Sequence, residues 1–194
     1  MTDSLLTRSA DTDASVLDVL ADRWSPRAFD AHDAVDDAQL ASALEAARWA
    51  PSANNTQPWR FVVAHRGSEA HARIHRALMG FNQVWAGNAA VLIVAVAETV
   101  SAEGRPLHYA PYDLGQAVAH LSVQAHHDGL HVHQMGGFDR DAVRAAFDLE
   151  DRLEPITVIA LGPIGDASDL PEALQEREVA PRLRRPLSEL ILAS

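Results

Sequence analysis

Cysteine is absent from the 194-residue chain. That excludes disulfides and thiolate metal ligands, and it fits a reducing cytoplasm, the location expected here. Long apolar runs are missing too. The longest, Ala89 to Ala97, is too short to cross a bilayer, so no membrane association is expected. Met1-Thr2-Asp3-Ser4 lacks a basic segment followed by an apolar one, so no secretory signal is expected. Aromatic residues are scarce, at 6%. Cations are outnumbered: 16 Lys and Arg against 27 Asp and Glu give a net charge of −11. That balance argues against binding nucleic acid through phosphate neutralisation. Repeats, low-complexity tracts and linkers are all lacking, so residues 1–194 are expected to form one domain with a sizeable core.

What is present alternates between helical and extended patterns. Residues 1–13 are polar and expected to fray. Val16, Leu17, Val19 and Leu20 predict a short helix. Asp36 or Asp37 can cap a second helix that buries Leu40, Ala43, Leu44 and Ala47 and ends at Pro51. Phe61 to His65 predicts a strand. Glu69 to Leu78 predicts a helix closed by Gly80. Val91 to Ala97 is continuously apolar, as in a strand buried on both faces. Pro111 opens a long helix through Asp128, closed by Gly129. Arg140 to Phe147 predicts another helix, and Ile156 to Leu161 a strand ending at Gly162-Pro163. Residues 163–181 look like the start of an extended C-terminal arm, 163–194. Few strands among many helices predict an α+β fold, with helices flanking a small sheet.

Two segments carry chemistry. In Pro51-Ser52-Ala53-Asn54-Asn55-Thr56-Gln57-Pro58-Trp59, two prolines bracket uncharged side chains that both donate and accept hydrogen bonds. Such a run can meet a neutral heterocycle; it also fits a plain helix-to-strand turn. In Arg23-Trp24-Ser25-Pro26-Arg27, alternation puts two guanidiniums and a hydroxyl on one side of an extended strip. Those donors suit a phosphate or an electron-rich carbonyl edge. Arg182, Arg184 and Arg185 form a second cationic cluster, readable as a solvated tail or as the other half of a phosphate clamp.

In order and spacing, Arg-x-Ser-x-Arg followed by Ala-Pro-Ser-x-x-Asn-x-Gln-Pro-Trp resembles the nitroreductase family of FMN-dependent NAD(P)H oxidoreductases. Tyr112 to Val118, Gln124 to Leu130, Gln134 to Asp139 and Pro181 to Leu187 extend the likeness over roughly residues 16–192. The resemblance implies a mostly antiparallel central sheet and an intertwined homodimer with FMN sites at the interface. Arg23, Ser25, Arg182 and Arg184 would then meet the phosphate and ribityl chain, alongside Trp24. Arg27 and Asn82 would face the pyrimidine edge. Gln134, Met135, Gly136 and Gly137 would pass flavin N5. Pro51, Ser52, Ala53, Asn54 and Gln57 would reach the flavin held mainly by the partner. No protein acid or base is implied, since the flavin carries the hydride. A nitroaromatic, quinone or similar small molecule would be the electron acceptor.

The chain departs from the family in two places. Trp85 stands where several relatives carry lysine, and it can stack on or narrow the pocket. Gly136 stands where some carry glutamate. Another flavin reaction on the same scaffold, or a noncatalytic FMN store, remains an alternative. The ten histidines show no motif with three convergent ligands, so no metal is expected. His71 and His75 share a helix face, and His131 and His133 alternate on a strand. The tryptophans are expected in the core or as walls of the pocket.

Overall fold

The computed structural model describes residues 8–193. The chain is α+β. Four strands, β1 (Trp59–His65), β2 (Val91–Glu98), β3 (His131–Met135) and β4 (Leu153–Gly162), form one antiparallel sheet in the order β1-β2-β4-β3. Seven helices accompany them among the described residues: α1 (Asp18–Asp22), α2 (Asp37–Arg48), α3 (Glu69–Ala77), α4 (Asn82–Trp85), α5 (Ala110–His127), α6 (Arg140–Ala146) and α7 (Glu172–Val179).

β2 is buried along its whole length, between β1 and β4. Successive side chains alternate across a sheet. Val91, Ile93, Ala95 and Ala97 therefore join a core built with α2 and α5. Leu92, Val94 and Val96 join a second core with Ile74 of α3, Trp85 of α4, Val143 of α6 and Leu174 of α7. Cover on both faces explains why the strand reads as an unbroken apolar run. Asp36 caps α2 by accepting the Ala38 N–H at 2.7 Å. Pro111 occupies the first turn of α5, where its missing N–H costs no helical bond. Gly129, at φ 82°, takes the left-handed conformation just beyond that helix.

Two expectations need correction. The segment 163–181 is not simply extended: it holds a 3₁₀ turn, Ala167–Asp169, and then α7. Only Leu174 and Glu178, four residues apart, are buried on α7, at 1% exposure each. One apolar anchor gives no helical periodicity to read. In the described part of residues 1–13, the Ala10 N–H donates to Ala21 O at 2.9 Å and Arg8 binds the carbonyls of Glu178 and Ala180. Residues 1–7 of the segment expected to fray lie outside the described residues. The first helix forms at Asp18–Asp22 rather than at 16–20, leaving Val16, Leu17 and Leu20 exposed.

Candidate active site

Arg23 to Arg27 run as an extended strip with its alternation expressed in burial. Trp24 and Pro26 are buried, whereas Ser25 is exposed and Arg23 and Arg27 are half-buried. Two histidines of β3 support the buried side. His131 meets Trp24 edge-on at 6.4 Å between ring centres, and His133 Nδ1 lies 2.8 Å from Pro26 O. Burial pushes both imidazoles down to about 4.

The two ends of the chain meet at this strip. Arg23, Arg182 and Arg184 line one cavity of about 330 Å³ with Asp11, Thr12 and Leu20. Burial, then the Arg184 charge, lowers the Arg23 pKa. Burial, then the charges of Arg23, Arg184 and Arg8, lowers that of Arg182. These cations repel one another, and a bound anion would relieve that repulsion. Arg182 is also a clamp. Its Nη1 donates to Ala21 O at 2.6 Å and to Arg8 O, and its Nη2 to Arg23 O at 2.9 Å.

A second group gathers at the turn after β3. Asn82, the first residue of α4, donates from Nδ2 to Gly137 O at 3.2 Å, and the Met79 N–H donates to the same carbonyl at 3.0 Å. Gly136 O accepts the Phe138 N–H at 3.2 Å. Both glycine carbonyls are thus engaged by the protein. A Cβ on Gly136 would meet nothing within 4 Å, whereas one on Gly137 would stand 3.0 Å from Asn82 Nδ2. Close approach to the backbone is therefore open at Gly136. Asn82 keeps Oδ1 and one amide hydrogen for a ligand. Asp139 also caps α6, accepting the Ala142 N–H at 2.9 Å. Gln134 is exposed and donates to Ser122 Oγ at 3.3 Å.

Two of the expected pocket side chains are buried in the core. Met135 is 2% exposed and packs in the core, so only its backbone is available to a cofactor. Trp85 is 1% exposed, stacked on Phe29 at 6.0 Å and tilted against His133 at 4.6 Å. It fills the core under the strip rather than narrowing a pocket. Trp24 and Trp59 are also buried, and Trp49 is exposed.

The polar loop lies elsewhere. Pro51, Asn54 and Gln57 are exposed, and Ser52 and Ala53 half-buried. Asn54, Asn55 and Gln57 have φ of 53°, 54° and 47°. Left-handed backbone costs a non-glycine residue roughly 1 kcal/mol, so the surroundings must enforce it. Asp113 of α5, 3% exposed, accepts the Ala53 N–H at 3.0 Å. Ser52 Oγ accepts the Gln57 N–H at 3.1 Å, and Arg60 reaches Gln57 O at 3.0 Å. The loop lines cavities of about 180 and 610 Å³ with residues 106–110 and 101–107, not the arginine cavity. Asp113→Ala would leave a backbone N–H without its acceptor. It should lower stability by about 1–3 kcal/mol in urea denaturation. Amide exchange should speed up over residues 52–57 first.

Comparison with known proteins agrees with this architecture. The profile described as the nitroreductase family matches residues 20–85 and 77–163. The chain belongs to the nitroreductase family. A crystal structure of an oxidoreductase containing FMN is 39% identical, with a TM-score of 0.89 over 98% of this chain and 96% of its own. An uncharacterized 15.4 kDa protein of Mycolicibacterium smegmatis is 36% identical over 138 residues, 68% of this chain and 92% of its own. YodC of Bacillus subtilis, provisionally named an NAD(P)H nitroreductase, is 25% identical over 180 residues, 76% of this chain and 89% of its own.

This nitroreductase-family chain adds residues that its motifs do not announce. Asp113 holds the polar loop, Glu178 holds the strip, and Asp11 and Thr12 line the arginine cavity. Among the described residues, no group of three or more His, Asp or Glu is placed to hold a metal ion. His71 and His75 instead bond the carbonyls of Ala89 and Gln83, at 3.2 and 2.9 Å. No helix among the described residues is long and apolar enough to cross a membrane.

Proposed function

We propose that this chain is an FMN-dependent oxidoreductase that uses NAD(P)H to reduce a nitroaromatic, quinone or similar small acceptor. The observation that carries this reading is the meeting of Arg23, Arg182 and Arg184 around one cavity. Guanidiniums from both ends of the chain form a donor set suited to a terminal phosphate. FMN, when bound, supplies a ring that accepts a hydride and passes it on. Arg23, Ser25 and Arg184 would hold its phosphate and ribityl chain, with Arg182 fixing the wall they stand on. Arg27 and Asn82 would face the pyrimidine edge. Gly136 would let the backbone come close to the ring.

The same reading makes the protein a homodimer. The polar loop and the arginine cavity are separate within one chain, so a partner's loop would complete the site. The tail also exposes Leu183 at 79% and Leu192 at 99%, apolar surface that a second copy would cover.

Purified protein should be yellow and release FMN, not FAD, on denaturation. It should oxidise NADH or NADPH when a quinone is added, and scatter light as a dimer. Release of FAD, or failure to take up excess FMN, would overturn the assignment. FMN binding without nicotinamide oxidation would leave a flavin-binding protein.

A further inference from the structure

The Arg27 guanidinium has a buried counter-charge. Glu178, at the end of α7, is 1% exposed. Its Oε1 accepts the N–H groups of Arg27 at 2.7 Å and Ala28 at 3.0 Å. Its Oε2 is buried without a hydrogen-bond partner among the described residues. That oxygen lies 3.7 Å from Nη1 of Arg27, whose side chain is 26% exposed against 2% for Glu178. The carboxylate therefore sits inside, and the guanidinium leads from it towards the surface.

Tying down the strip needs only one acceptor oxygen. A glutamine carbonyl could also accept both backbone N–H groups, if less strongly than a carboxylate. What glutamine would not bring is negative charge, which is costly to bury. The charge therefore calls for a separate role, and the group it faces is Arg27.

We propose that Glu178 offsets the charge of Arg27 and so sets the reduction potential of the flavin beside it. The proposal rests on the FMN reading above. Two-electron reduction by NAD(P)H, which leaves as NAD(P)⁺, builds negative charge on the flavin's N1–O2 edge. A lone Arg27 would favour that charge strongly. The Glu178 carboxylate, buried where screening is weak, pulls the other way. The pair holds the potential between two extremes, and each partner's removal should move it in an opposite direction. Glu178 touches no reacting atom in this scheme; it acts through Arg27.

Redox titration of FMN-loaded protein against dyes of known potential tests this. Glu178→Gln keeps Oε1 as an acceptor and removes the charge. It should shift the equilibrium towards reduced flavin about tenfold, a rise of about 30 mV for a two-electron couple. Arg27→Gln should shift it about tenfold the other way. The double variant, neutral at both positions, should return to within about threefold of wild type. A Glu178→Gln potential equal to or below wild type overturns the proposal. If that variant does not fold, the double variant decides. It removes the buried charge together with its partner, and a potential as low as that of Arg27→Gln alone overturns the idea. Wild-type protein that takes up no FMN removes the proposed function as well. Wild type that loads normally, with no rise in Glu178→Gln, removes this proposal alone.

Discussion

Arg182→Ala should weaken both the fold and FMN binding, more than loss of either Arg23 or Arg184. The Arg182 guanidinium ties three separate carbonyls, those of Arg8, Ala21 and Arg23, and it stands beside the cavity lined by Arg23 and Arg184. Hydrogen bonds from a charged donor are worth roughly 1.5–3 kcal/mol each, and they are not additive. Arg182 is half-buried, so water replaces part of what is lost. A stability loss of about 2–4 kcal/mol is expected in urea denaturation of the apoprotein. FMN should bind at least a hundredfold more weakly, because one cation is gone and the wall carrying Arg23 has lost its tie. Arg182→Lys separates the two contributions. It keeps the charge but lacks the fork that spans three acceptors, so it should recover affinity better than stability. Arg23→Ala and Arg184→Ala should each cost roughly 1.5–3 kcal/mol of FMN binding with the fold intact. An Arg182→Ala protein with wild-type denaturation and wild-type flavin titration would show that the cluster is surface charge alone.

That double duty also shows where the sequence was legible. β2 is an unbroken apolar run because both its faces are covered, so its central place could be read directly. α5 was bounded by Pro111 and Gly129, whose backbone requirements are local. The strip from Arg23 to Arg27 showed its two sides through simple alternation. What stayed hidden depends on partners far along the chain. α7 buries one leucine and one glutamate, and the partner that explains Glu178 lies about 150 residues earlier. The role of Asp113 rests on a backbone N–H 60 residues away. Trp85 sits on a four-residue helix too short for periodicity, and only the rings of Phe29 and His133 show that it belongs to the core. The left-handed backbone at Asn54, Asn55 and Gln57 is tolerated by asparagine but not demanded by it.

The largest effect of pH should come from β3. Burial lowers His131 to about 4, with the His126 charge adding to it. Burial lowers His133 to about 4 as well, with the Pro26 carbonyl opposing and the Arg27 charge assisting. In the unfolded chain both titrate near ~6.5. Between about 6.5 and about 4 the unfolded state therefore binds more protons than the folded one, and stability rises with pH through that window. The penalty is absent above the unfolded value and complete below the folded one. At pH ~5 each histidine should cost about 2 kcal/mol, on the order of 4 together. Because the two rings support Trp24 and Pro26, acid should loosen the strip and any flavin held by it before the rest of the sheet. His131→Phe isolates one half of the effect. The His131 Nδ1 is buried without a hydrogen-bond partner among the described residues, so an apolar ring should hold stability at pH ~7.5 within about 1 kcal/mol of wild type. The same variant should lose about half of the drop between pH ~7.5 and ~5. Urea denaturation at the two values measures both quantities. A His131→Phe protein that weakens in acid as much as wild type would show that this imidazole gains its proton without unfolding.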